Sequence, residues 1–188
     1  MPRLILVTGG ARSGKSDFAQ DLAGRLAGDD VLFVATAEAG DADMAARIAA
    51  HRGTRPPAWR TVEAPRHVGR AIRATAPAGV TVVDCLTLLV SNVVLALGDE
   101  PDAAAADAAV GGEVRELVEA ARTAPGVVVA VTNEVGLGIV PANRLARVYR
   151  DVLGRANAAL AREAAEVYLL VSGLPLEIKS LTRPRETP

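Results

Sequence analysis

Eight residues near the start of the chain, Gly9-Gly10-Ala11-Arg12-Ser13-Gly14-Lys15-Ser16, constrain its fold more than any other stretch. They satisfy G-x-x-x-x-G-K-[ST] in full. Leu4-Ile5-Leu6-Val7 before them is short, apolar and branched, as a buried parallel strand is. After them Phe18, Leu22 and Leu26 recur at helical spacing, which predicts a helix with these three on its inner face. Strand, glycine loop and helix are the frame of a phosphate-binding loop. The glycines let backbone amides approach a polyphosphate, and the helix N-terminus favours an anion. Lys15 can reach terminal phosphates, and the Ser16 hydroxyl can ligate magnesium. A chance glycine-rich turn is the bland alternative, and the flanking strand and helix argue against it.

The rest of the chain reads as the same alternation. Strands are expected at 31–35, at 60–63 (weakly), at 80–84, 127–131 and 166–171, with an edge strand at 174–178. Helices are expected at about 42–52, 86–97, 113–122 and 143–164, the first of these with Asp41 as N-cap. The Ala-rich stretch after residue 102 is interrupted by Gly111-Gly112 and reads as a surface excursion. This pattern predicts an α/β three-layer sandwich of the P-loop NTPase type around a mostly parallel sheet, with an antiparallel edge strand. One domain over residues 1–181 and a disordered tail at 182–188 complete the expectation.

Charge and cysteine content narrow the function classes. A formal net charge of −1 gives no global basic field for nucleic acid or an anionic membrane. A single cysteine, Cys85, excludes an internal disulfide framework and a multi-cysteine metal site. No apolar run approaches the roughly 20 residues of a membrane helix. The N-terminal residues lead straight into a strand, with no signal-peptide pattern, so the expected setting is the cytoplasm.

Site candidates lie where strands end, because open α/β sheets bind ligands at their carboxyl edge. Val80-Thr81-Val82-Val83 delivers Asp84, which either helps to hold magnesium or caps the next helix. Cys85 reads as packing. Met44, Ile48 and His51 share a helix face, and His51 is either a histidine satisfied locally at the end of that stripe or a nucleophile or base aimed at the phosphate loop. Arg52 and Arg55 suit phosphate contacts, although a solvated loop gives the same pattern. His67 reads as a surface or capping histidine. The loop Thr132-Asn133-Glu134-Val135-Gly136-Leu137-Gly138-Ile139-Val140-Pro141 reaches the same sheet edge and is the expected place for substrate contacts, though a simple strand-to-helix turn is also glycine-rich.

Together these segments resemble the bifunctional adenosylcobinamide kinase/adenosylcobinamide-phosphate guanylyltransferase family of cobalamin biosynthesis. The resemblance rests on the phosphate loop, on Met44-Ala45-Ala46-Arg47-Ile48 with His51, and on Arg55-Pro56, Trp59-Arg60-Thr61 and Glu63. It rests also on the 132–141 loop followed by Asn143-Arg144-Leu145-Ala146-Arg147 and Arg150-Asp151. It implies phosphorylation of adenosylcobinamide by ATP or GTP, then transfer of GMP from GTP to adenosylcobinamide phosphate through a GMP–histidine intermediate, with Mg2+ present. Lys15 and His51 would be catalytic, and Ser16 and Asp84 would serve the metal. Ala35, Thr36, Ala37, Arg52, Gly53, Thr54, Arg55, Glu63 and Asp84 would surround the guanosine nucleotide beside residues 9–16. Asn133, Glu134, Gly136 and Gly138 would form the substrate loop. A homotrimer is implied as well. Some members have two adjacent histidines where this chain has Ala50-His51, and an acid is common where Ala142 stands. A kinase without the covalent histidine, or a nucleotide-dependent switch, are the competing readings.

Overall fold

The computed structural model describes residues 3–40, 42–53 and 55–182, without the side chains of 42–44, 47, 50 and 51. Its strands are β1 (Arg3–Gly9), β2 (Val31–Ala35), β3 (Arg60–Glu63), β4 (Val80–Asp84), β5 (Val127–Val131), β6 (Glu166–Val171) and β7 (Leu174–Glu177). They form one sheet in the order β3-β2-β4-β5-β1-β6-β7. Every pairing is parallel except β6 with β7, so the expected antiparallel edge strand is present. The helices are α1 (Lys15–Ala27), α2 (Ala42–Gly53), α3 (Val68–Ala74), α4 (Leu86–Leu95), α5 (Ala103–Thr123) and α6 (Arg144–Glu163).

The strands are apolar on both faces because helices cover both. Ile5, Val7, Val31, Phe33, Val80, Val82, Val129 and Val131 pack with Ala19 and Ala23 of α1. Leu4, Leu6, Leu32, Val34, Val83, Val128 and Ala130 pack on the opposite side with α3, α4, α5 and α6. Three layers result. Among the described residues no helix is long and apolar enough to cross a membrane.

Two readings of the helices need correction. The inner face of α1 is Lys15, Ala19 and Ala23, with Phe18 and Leu22 half-buried and Leu26 45% exposed. Small alanines let the helix lie close to the sheet, and that closeness is what carries Lys15 inward. The Ala-rich stretch is not a surface excursion: α5 is a continuous 21-residue helix that runs through Gly111-Gly112. Each glycine costs about 1 kcal/mol against alanine in a helix. Burial of Ala106, Val110, Val114, Leu117, Ala120 and Ala121 outweighs that cost, and Asp102 caps the start by accepting from the Ala105 amide at 2.9 Å. The expected N-cap Asp41 lies outside the described residues, as does the tail from 183; Thr182 itself closes a short 3-10 turn, Ser180–Thr182.

Register sets the site. Ala35 is level with both Glu63 and Asp84, Asp84 with Val131, and Val131 with Val7. One row across the sheet thus ends β3, β2, β4 and β5 beside the last residues of β1. Whatever follows those strands meets the phosphate loop.

Candidate active site

The phosphate loop is shaped by two glycines that admit no substitute. Gly9 has φ +150°, and a Cβ there would stand 2.5 Å from the Leu170 carbonyl oxygen and 2.9 Å from Ser13 Oγ. Gly14 takes the left-handed conformation, φ 87°, at the N-cap of α1. The loop is backed from outside as well, since the Gly173 amide donates to the Ser13 carbonyl at 3.0 Å. Neither Leu170 nor Gly173 carries a motif, so sequence reasoning had no signal for this support.

Lys15 opens α1 and is only 7% exposed. Its ammonium donates to the Gly10 carbonyl at 2.5 Å and to Ser13 Oγ at 3.3 Å. Burial pulls the Lys15 pKa below its ordinary value, while Cys85 and Asp84 oppose the shift. Burial also pushes the Cys85 thiol up to about 11, with Asp84 adding to the rise. At neutral pH the thiol is therefore uncharged, and Asp84 is the neighbour that offers Lys15 a negative charge. Cys85 is packing, as its sequence setting suggests.

Asp84 also acts on Arg55. Burial lowers the Arg55 pKa, Asp84 opposes that shift, and Arg52 adds to it. The guanidinium lies 3.7 Å over the centroid of the Phe33 ring, a cation–π contact that holds the arginine against the α1 face of the sheet. Lys15, Asp84 and Arg55 thus form one electrostatic group beneath the loop. Glu63 stands at the edge of the row, two strands from Asp84, with its carboxylate 3.6 Å from Arg52 and both side chains about two-thirds exposed. Such a surface pair is worth roughly 0–1 kcal/mol. Ser16 is half-buried in the first turn of α1, and Arg12 is exposed on the loop with φ 55°.

The ends of β2 and β4 are stitched by Thr36, which is fully buried. Its hydroxyl donates to the Cys85 carbonyl at 2.7 Å and accepts from the Cys85 amide at 2.7 Å. Asn92 of α4 then donates from one side-chain nitrogen to the carbonyls of Thr36 at 2.8 Å and Pro65 at 3.0 Å. A polar residue among the leucines and valines of this helix is the one signal the sequence offers for Asn92. Asn92→Ala removes the donor to the carbonyls of buried Thr36 and half-buried Pro65, so we expect a loss of about 1–3 kcal/mol in urea unfolding. Nucleotide affinity should fall with it, because Thr36 and the segment after Glu63 lose their common anchor.

The 132–141 loop returns to the phosphate loop as its glycines suggested. The Thr132 amide donates to the Val7 carbonyl at 2.9 Å and the Glu134 amide to that of Gly9 at 3.0 Å, which extends the β1–β5 pairing beyond the sheet. Asn133 is held by its backbone: its amide donates to Thr87 Oγ1 at 2.8 Å, and its carbonyl accepts from Asn157 at 3.0 Å. The Glu134 carboxylate accepts from the Gly136 amide at 2.6 Å and so tightens its own turn. Beyond it Leu137 and Ile139 are 91% and 96% exposed. Asn143 caps α6, and Arg147 donates to the carbonyls of Pro141 and Ala142, which fixes the end of the loop. Arg150 and Arg155 pair with Asp151 and Asp107 and are not directed at the loop.

His51 lies near the C-terminal end of α2, one residue before Arg52; its side chain and all of Thr54 lie outside the described residues. His67 does not cap α3 through its side chain, but meets Glu113 instead.

Comparison with known proteins bears on this arrangement. Residues 5–178 match the family model described as cobinamide kinase / cobinamide phosphate guanyltransferase. The bifunctional adenosylcobalamin biosynthesis protein CobU of Salmonella typhimurium is 48% identical over 182 residues, covering 94% of this chain and 99% of the relative. Its counterpart from Escherichia coli is 47% identical over the same length and shares. The bifunctional adenosylcobalamin biosynthesis protein CobP of Pseudomonas aeruginosa is 42% identical over 175 residues, covering 93% of this chain and 96% of the relative. Among solved structures, the ATPase domain of G40P overlays with a TM-score of 0.46 at 13% identity, covering 90% of this chain and 69% of that one.

Proposed function

This chain belongs to the cobinamide kinase / cobinamide phosphate guanyltransferase family, and from that membership we propose how its residues divide the two reactions. It is a bifunctional enzyme that phosphorylates cobinamide and then guanylylates the phosphate. We take adenosylcobinamide as acceptor, ATP or GTP as phosphoryl donor, and GTP as the source of GMP, with adenosylcobinamide-GDP and pyrophosphate as products. The observation that carries the assignment is the coupling of Lys15 with Asp84, at the end of its strand, beside a complete phosphate loop in a chain matched along nearly its whole length.

In the kinase step the amides of residues 9–16 and the Lys15 ammonium hold the triphosphate, and Arg55 adds positive charge from the Phe33 side. The acceptor hydroxyl attacks the γ-phosphorus, the bond to the β–γ bridging oxygen breaks, and the nucleoside diphosphate leaves. In the second step His51 attacks the α-phosphorus of GTP and pyrophosphate departs, its charge offset by Lys15. The phosphate on the acceptor then takes GMP from the histidine. The Ser16 hydroxyl and the Asp84 carboxylate are hard oxygen donors of the kind Mg2+ prefers. Held by these two residues, an Mg2+ ion would supply positive charge against the phosphates.

Ala35, Thr36, Ala37, Arg52, Gly53, Thr54 and Glu63 are assigned to the nucleoside, supported by the placement of Thr36 and Glu63 at the strand ends. Asn133, Glu134, Gly136 and Gly138 are assigned to the corrinoid side. The wide exposure of Leu137 and Ile139 also supports a second copy of the chain in a homotrimer, which sedimentation would test. We place all of this in one domain working in the cytoplasm.

The test follows products. Adenosylcobinamide, ATP, GTP and Mg2+ should yield adenosylcobinamide phosphate first and adenosylcobinamide-GDP later, resolved chromatographically. Formation of the phosphate with no GDP adduct at any GTP concentration would leave a kinase alone.

A further inference from the structure

The layer opposite α1 carries a polar cluster that neither reaction uses. Glu113 and Glu116 are three residues apart on α5 and therefore neighbours on one helix face. His67 faces them from the start of α3. One ligand atom from each of the three lies within 4.8 Å of the others. His67 Nδ1 is 3.2 Å from Glu113 Oε1, and the same oxygen accepts from the His67 amide at 2.9 Å.

Burial makes this more than a surface contact. Glu113 is 7% exposed, which is expensive for a carboxylate unless it is fully paired. Yet Glu113 Oε2 is buried without a hydrogen-bond partner among the described residues, and so is Glu116 Oε2. Arg70 reaches Glu116 Oε1 only at 4.0 Å, and Arg73 donates to the Glu116 backbone carbonyl rather than to its carboxylate. Helix packing holds the two sides rigidly together, since a Cβ on Gly69 would meet the Glu116 carbonyl oxygen at 2.2 Å. His67 itself is more than half exposed and opens the cluster to solvent.

We propose that His67, Glu113 and Glu116 form a binding site for a divalent transition-metal ion of the zinc type, separate from the phosphate loop. One imidazole nitrogen and two carboxylate oxygens are the donor set that zinc takes with three protein ligands and water in the open position. The ion would supply the missing partner for the buried carboxylate oxygens and would tie α3 to α5. It would also steady residues 64–67, the segment between Glu63 and His67 that Asn92 grips at Pro65.

The full-length protein, stripped with a chelator and free of nucleotide, should be titrated with Co2+ by visible absorption and with Zn2+ by calorimetry. We expect one equivalent bound and a rise in thermal midpoint with Zn2+. His67→Asn keeps a residue that tolerates the φ of 55° at this position. It should lower metal affinity by about tenfold or more, the scale on which even supporting groups of metal sites act. Glu116→Gln, on a half-exposed side chain, should do the same, with folding of both variants checked by circular dichroism. His51→Ala should leave the metal isotherm unchanged. The assignment fails if wild type binds no equivalent at millimolar Zn2+, if either folded variant binds as wild type does, or if His51→Ala removes the binding.

Discussion

His51→Ala should abolish guanylyl transfer by about 10³-fold or more, as removal of a covalent nucleophile does, and leave phosphoryl transfer to the corrinoid within a few-fold of wild type. The asymmetry follows from the two reactions. Kinase chemistry needs position and charge, which the proposed roles of the phosphate loop, Lys15 and Arg55 would supply without the histidine. Guanylyl transfer through a phosphoramidate needs a nitrogen nucleophile, the role proposed for His51. Cys85 is held as a thiol by burial, and the Lys15 ammonium is tied to the Gly10 carbonyl within the phosphate loop. Incubation with α-labelled GTP and Mg2+, followed by denaturation, should leave an acid-labile, alkali-stable label on wild type and none on His51→Ala. Label retained by the variant would move the nucleophile elsewhere; label absent from wild type that still binds GTP would favour a kinase alone.

Much of the site was legible in the chain because its elements are local. The phosphate loop, the strands that lead to Thr36 and Asp84, and the 132–141 loop each carry their meaning within a dozen residues. The level row of Ala35, Glu63, Asp84 and Val131 could be anticipated only as a shared edge, because register depends on pairing between strands remote in sequence. What was misread depended on packing. The inner face of α1 is set by how near alanine lets a helix approach, so Ala19 and Ala23 displaced Leu26. The continuity of α5 is set by burial that overrides two glycines. Asn92, Thr87 and Asn157 act through backbone carbonyls and amides of distant loops, and no spacing rule connects them to those partners. The same holds for His67, whose meeting with Glu113 depends on α3 lying across α5.

Lys15→Met should cost both activities about 10²–10³-fold, the scale of removing one preorganised charge-stabilising donor, and should do so without unfolding the protein. In the division of roles proposed above Lys15 serves the departing group in each step, so kinase and guanylyl transfer should fall together, unlike the result at His51. Its effect on stability has the opposite sign to its effect on catalysis. Burial depresses the folded pKa of Lys15, so the folded state binds that proton less tightly than the unfolded chain does. The buried charge therefore costs stability below the folded pKa, and the cost disappears as pH rises past the ordinary lysine value. Methionine fills similar volume without charge and relieves that cost, while the Gly10 carbonyl and Ser13 hydroxyl lose only their contacts to the ammonium. The thermal midpoint of the variant alone should hold within a few degrees of wild type. The rise produced by GTP with Mg2+ should vanish, since stabilisation by a ligand scales with its occupancy of the folded state. A variant that keeps its nucleotide-induced rise would show that the loop amides suffice for binding and that Lys15 acts only later, on the charge that builds as each diphosphate or pyrophosphate leaves.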